Sequence, residues 1–158
     1  MKIGSDLATF LTSPVMIILG TCDTHGHPDI GRGVGARVDG DTGLLEVILS
    51  AWQWPGTIAN ILDNGRAAIT FARPNDYVTY QLKGPAQIAE PDPQALTLSA
   101  RYINQITDLL CELGLERRLI ADWLTQRDAA LIRMTIENVF VQTPGSKAGS
   151  LIATANPQ

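Results

Sequence analysis

With 158 residues, the chain is long enough to bury one substantial core and short enough to form a single domain over 1–158. Its 45% hydrophobic and 18% charged content excludes a disordered chain, and a net charge of −4 argues against a nucleic-acid partner. No apolar run is long enough to cross a bilayer, and Met1-Lys2-Ile3-Gly4-Ser5-Asp6 lacks the basic and apolar regions of a secretory leader, so a cytoplasmic protein without a membrane partner is expected.

Residues 5–11 read as a short amphipathic helix capped by Ser5 or Asp6 and ended by Pro14. The apolar, β-branched run 15–21 reads as a buried strand. Residues 23–28 form a polar turn, and His25 and His27 read as part of a solvated hairpin rather than a metal site. Cys22 and Cys111 are too far apart in sequence for a metal motif, so no metal is expected. A glycine-rich strand follows at 29–38, then the hairpin signal Asp39-Gly40-Asp41-Thr42-Gly43 and a returning strand at 44–49. Trp52 and Trp54 come next, placed to stack on a planar ligand or to cover a barrel mouth or subunit interface.

Pro55 near a first turn and Gly65 just past Asn64 frame a short helix. Strands are expected at 66–71 and 77–88, the second with Pro85 near its end marking an edge or bulge. Residues 93–126 read as a helical segment within the domain. Its first helix carries Ala95, Leu98, Tyr102 and Ile106 at helical spacing, with Gly114 as C-cap. Its second runs from about 116 to 126 with Leu119, Ile120, Trp123 and Leu124 on one face. The alternation over 130–142 predicts one late strand that closes the sheet on itself. The tail 143–158 has little to pack and is expected to be mobile unless it docks on a partner.

Two features carry chemistry. Arg32 and Arg37 lie five residues apart on the glycine-rich strand, so regular alternation puts them on opposite faces. Glycines permit a bulge that would bring both to one anion. Either arginine can instead pair with Asp29, Asp39 or Glu46. The helix opening Pro55-Gly56-Thr57 offers unpaired N–H groups, a usual setting for a phosphate. No nucleophile elbow or dinucleotide fingerprint is present, and no catalytic residue is assigned.

These residues resemble a known family. Arg32-Gly33-Val34-Gly35-Ala36-Arg37, Ser50-Ala51, the helix from Thr57, Asn64-Gly65-Arg66-Ala67-Ala68-Ile69 and Lys83-Gly84-Pro85-Ala86 resemble, in order and spacing, the flavin-binding split barrels related to pyridoxamine 5′-phosphate oxidase. The resemblance implies a mainly β protein with helices, of the α+β class: a six-stranded antiparallel split β-barrel acting as a homodimer. It implies an FMN-binding oxidoreductase passing hydride or electrons to a small-molecule redox substrate, with Arg32, Val34, Arg37, Ser50, Ala51, Gly56, Thr57, Thr79 and Gln81 at the cofactor. Thr57 stands where the family commonly has a phosphate-binding lysine. Two alternatives therefore stay open: a non-catalytic binder of flavin, deazaflavin or haem, and a dimer without a cofactor.

Overall fold

The computed structural model describes residues 1–155. After helix α1 (Ser5–Leu11), the hairpin β1 (Met16–Cys22) and β2 (Pro28–Asp39) leads to β3 (Leu44–Ser50). Helix α2 (Pro55–Asn64) is followed by β4 (Arg66–Ala72) and β5 (Thr79–Ala89). Helices α3 (Pro93–Glu112) and α4 (Arg117–Ala121) precede β6 (Ala129–Thr135), β7 (Asn138–Val141) and β8 (Leu151–Thr154). All pairings are antiparallel, and β1-β2-β3-β6-β5-β4 closes on itself through the β4–β5 ladder. The expected six-stranded antiparallel barrel is the fold, with β7 and β8 added beside β5.

Alternation sorts the strands into an inner and an outer face. Ile17, Leu19, Val47, Leu49, Ile69, Phe71, Leu82 and Ile132 fill the barrel and are almost completely buried. Helix α2 closes one end, where the Asn60 amide donates to Thr21 Oγ1 at 3.1 Å. At the other end α1 sets Phe10 edge-on to Tyr80, with ring centroids 5.1 Å apart. Helix α3 lies over the outer face of β2 and β3, and Tyr102 fastens it by donating to the Val15 carbonyl at 2.6 Å. Burial raises the Tyr102 phenol pKa well above its ordinary 10.0, and the nearby positive charge of Arg32 only partly offsets this.

Three expectations need correction. The second helix ends at Ala121, and its apolar residues divide: Ile120 and Leu124 are buried, whereas Leu119 and Trp123 face outward. The late strand is two strands, because the N–H of Ile136 turns to Gly43 O and that of Glu137 to Lys83 O. The tail is not unpaired: β8 pairs with β7, although Leu151 and Ile152 stay half exposed. Residues 156–158, the last of that tail, lie outside the described residues.

Candidate functional site

The register of β2 against β3 shifts between Gly33 and Ala36, a β-bulge where the glycine-rich sequence permits one. Before the bulge the inner residues are Gly31 and Gly33; a Cβ on Gly33 would meet Ile17 and Val47 at 2.7 Å. Gly35, at φ 134, faces outward beneath Leu98 and Ser99 of α3. The extra residue changes the alternation, so Arg32 and Arg37 both project outward.

They meet different fates there. Arg37 forms a bidentate pair with Asp92, at 2.7 and 3.2 Å, and a second pair with Glu46, its cross-strand partner. Arg133 reaches the other Glu46 oxygen at 2.7 Å, and Asp92 also caps α3 by accepting from the N–H of Ala95. Donating hydrogen bonds to Asp92 and then to Glu46 raises the Arg37 pKa further above its already high value. Burial alone would push the Glu46 carboxyl up, but the two arginines outweigh it and hold it below its ordinary 4.5. Arg37 is therefore committed to holding α3 to the barrel.

Among the described residues Arg32 has no such partner. Its guanidinium lies 5.3 Å from the Trp123 ring centre, and its buried Nη1 has no hydrogen-bond partner among the described residues. Across the outer face the register runs Arg32–Ile18–Thr70–Gln81 through β2, β1, β4 and β5. At the usual strand spacing that row is about 14 Å long. Gln81 Nε2 donates to Thr70 Oγ1 at 3.1 Å. The flanking outward residues Met16, Ala68, Ala72 and Thr79 are neutral and half buried, and Ile30 is 63% exposed.

Helix α2 points its first turn elsewhere. Thr57 is fully buried, and its hydroxyl donates to Asp29 Oδ2 at 2.8 Å. Asp29 shares the inner face of β2 with Gly31, whose missing side chain admits Thr57: a Cβ there would sit 2.7 Å from Thr57 Oγ1. Trp54, the N-cap, makes no side-chain cap. A Cβ on Gly56 would lie only 3.0–3.3 Å from the Asp29 carboxylate. Thus a carboxylate of the chain itself stands at the N-terminus of α2, and Thr57 and Arg32 lie on opposite faces of β2. The residues present do not fit an FMN phosphate shared by Arg32, Arg37 and this helix start.

The other expected positions are structural neighbours of this region. Ser50 Oγ donates to Arg127 O at 2.7 Å and accepts from Gln53 N–H, while Ala51 N–H bonds Asp128 O. They hold the segment 122–128 against the end of β3. Buried Gln53 Oε1, Trp54 Nε1 and Gln126 Oε1, from the same two segments, also lack partners among the described residues. Trp52 is half exposed with Arg127 4.2 Å from its ring centre, so two arginine–indole pairs flank this junction. Val34 is buried on the outer face, and Thr79 Oγ1 donates to Tyr77 O. In the β1–β2 turn, Asp23 accepts from the N–H groups of His25 and His27 and holds His27 Nδ1 at 2.8 Å; donor atoms of the three side chains lie within 4.8 Å. Sequence reasoning missed Trp123 and Asp29. The outward i, i+4 pair Leu119–Trp123 signals the first; nothing in sequence brings Asp29 to Gly56.

A closed antiparallel barrel with a bulged, arginine-bearing second strand and a helix plugging one end defines a split-barrel protein. The sequence matches the family described as Pyridoxamine 5′-phosphate oxidase over residues 3–143, and the chain belongs to that family. No curated protein matches it. Among solved structures it is similar to HupZ of Group A Streptococcus, at 20% identity over 93% of this chain and 99% of that one, with TM-score 0.57. It is also similar to HutZ, described as the haem storage protein of Vibrio cholerae, at 17% identity over 89% and 95%, with TM-score 0.52. An F420 reductase gives 16% identity over 83% and 93%, with TM-score 0.53. At these identities the similarity establishes the fold.

Proposed function

We propose that this protein is a homodimer that binds a planar, anionic ligand across the Arg32–Ile18–Thr70–Gln81 row, with a second copy covering it. The observation that carries the reading is the buried Arg32 Nη1, without a hydrogen-bond partner among the described residues, at the edge of a neutral sheet face. A buried guanidinium N–H without an acceptor is costly, and a ligand carboxylate or phosphate oxygen would satisfy it. The neutral row suits an aromatic ring system and offers Thr70 and Gln81 to ring heteroatoms. Ligand class follows from shape and charge: a haem, a flavin or an F420 ring would each span such a row, and the neighbours named for haem storage and F420 reduction support the first and the last.

The test is titration of the purified protein with haem, FMN and riboflavin, followed by absorbance and repeated on Arg32→Ala. Loss of one charge-assisted hydrogen bond weakens the ligand that binds by about tenfold to a hundredfold. Unchanged affinity in Arg32→Ala, or no binding of any planar ligand, would overturn the reading. Flavin-dependent oxidoreduction is the second reading, favoured by family membership. Its requirement is a flavin held by its ring, because the family's phosphate position is blocked.

A further inference from the structure

We infer that Asp29 is the resident anion of the α2 N-terminus and that it sets the ligand specificity of this barrel by excluding phosphate there. The inference deepens the binding role proposed above, and it stands on different residues from Arg32.

The first turn of a helix presents N–H groups without intrahelical acceptors and the positive end of the helix dipole. In α2 the first residue is Pro55, which has no N–H, so the groups that face outward come from Gly56 and Thr57. Trp54 supplies no cap. The Asp29 carboxylate stands against this turn from a neighbouring strand, accepting from the Thr57 hydroxyl at 2.8 Å and lying beside Gly56 without a hydrogen bond from either N–H. Three features of the sequence serve this contact together. Gly31 lets Thr57 approach β2, Gly56 leaves room for the carboxylate, and Thr57 donates the hydrogen bond. A phosphate approaching this turn would meet a negative charge and occupied space. The lysine that the family commonly places at the Thr57 position would here be fully buried beside Asp29 and would pair with it rather than with a ligand.

Inorganic pyrophosphate is the probe, because it reports on an anion seat whether or not a ring ligand binds. Its affinity is measured by calorimetry on the full chain, on Asp29→Ser, which removes both charge and bulk, and on Asp29→Asn, which removes charge alone. The expected result is that Asp29→Ser binds pyrophosphate at least about tenfold more tightly than the parent, with Asp29→Asn between them. In parallel, the ratio of FMN to riboflavin affinity rises in Asp29→Ser above the parent's. Equal pyrophosphate affinity in the parent and a folded Asp29→Ser would overturn the inference. Should Asp29→Ser fail to fold, the nearly isosteric Asp29→Asn takes its place, and pyrophosphate affinity equal to the parent's would again overturn the inference. Absence of any ring ligand would instead count against the binding role, leaving the pyrophosphate comparison to decide this one.

Discussion

The two outer faces of the barrel solve the same problem in opposite ways. Over β2, β3 and β6 the chain covers itself: Glu46 and Asp92 answer Arg37 and Arg133, and α3 seals the apolar residues beneath. Over β1 and β4 the outward positions Met16, Ile18, Gly20, Ala68, Thr70 and Ala72 are neutral and half buried, and the charge of Arg66 at the start of β4 is met by Glu137. Charge stands where the chain supplies its own counter-charge, and is missing where nothing in the chain would answer it. Arg32 lies at the border between the two faces, the cation left over from the first and available to the second.

That contrast can be broken at either face. The largest effect is expected at the neutral one. Ile18→Asp places a carboxylate on each side of the proposed twofold contact, and desolvating it would raise the dimer dissociation constant by about a hundredfold or more. Sedimentation at micromolar concentration would then show monomer, with the melting curve of the barrel little changed. A persistent dimer would mean that the copies meet elsewhere.

Next is the covered face. Glu46→Gln removes the acceptor shared by Arg37 and Arg133; the Glu46 side chain is only 11% exposed. Because both arginines keep some access to water, we expect a loss of about 2–3 kcal/mol rather than the full cost of a buried orphan charge. Thermal melting should fall by about 5–10 °C. The pH dependence has a definite sign. The folded state holds the Glu46 carboxyl below its ordinary 4.5, so its contribution is complete above 4.5 and fades as the pH falls below that value. Acid denaturation of the parent should therefore be steeper between 4.5 and lower pH than that of Glu46→Gln.

The smallest effect is expected at the α3 latch. Tyr102→Phe leaves the Val15 carbonyl without its donor, a loss of about 1–2 kcal/mol by denaturant unfolding. It should also reduce alkaline unfolding. The folded state keeps the phenol neutral, so the parent loses stability as the pH rises above 10.0, where the unfolded chain ionises freely. Neither covered-face variant should alter the dimer constant, which separates the two faces experimentally.

Much of the barrel was legible because hairpin chemistry and period-two alternation are local. The glycine-rich spacing permits the bulge, and Glu46 is within the set of partners open to Arg37. The site was less legible because its decisive contacts are tertiary. Asp92 reaches Arg37 across 55 residues, and Asp29 reaches Thr57 across 28. The break between β6 and β7 leaves no mark in the alternation, since Ile136 and Glu137 merely redirect their N–H groups to Gly43 and Lys83. Helix α4 is short for a similar reason: Ile120 and Leu124 find the core whether or not the turns between them stay helical.

The bulge in β2 makes chain length a structural variable in its own right. On its N-terminal side even-numbered residues point out; on its C-terminal side odd-numbered residues do. With the same residues and no bulge, regular pairing would turn Arg37 into the barrel opposite Leu45, while Val38 moved into water. An unpaired guanidinium in that interior would cost several kcal/mol, on the order of the whole stability of a small domain. The one residue in excess between Gly33 and Ala36 is thus what keeps Arg37 opposite Glu46 on the outer face.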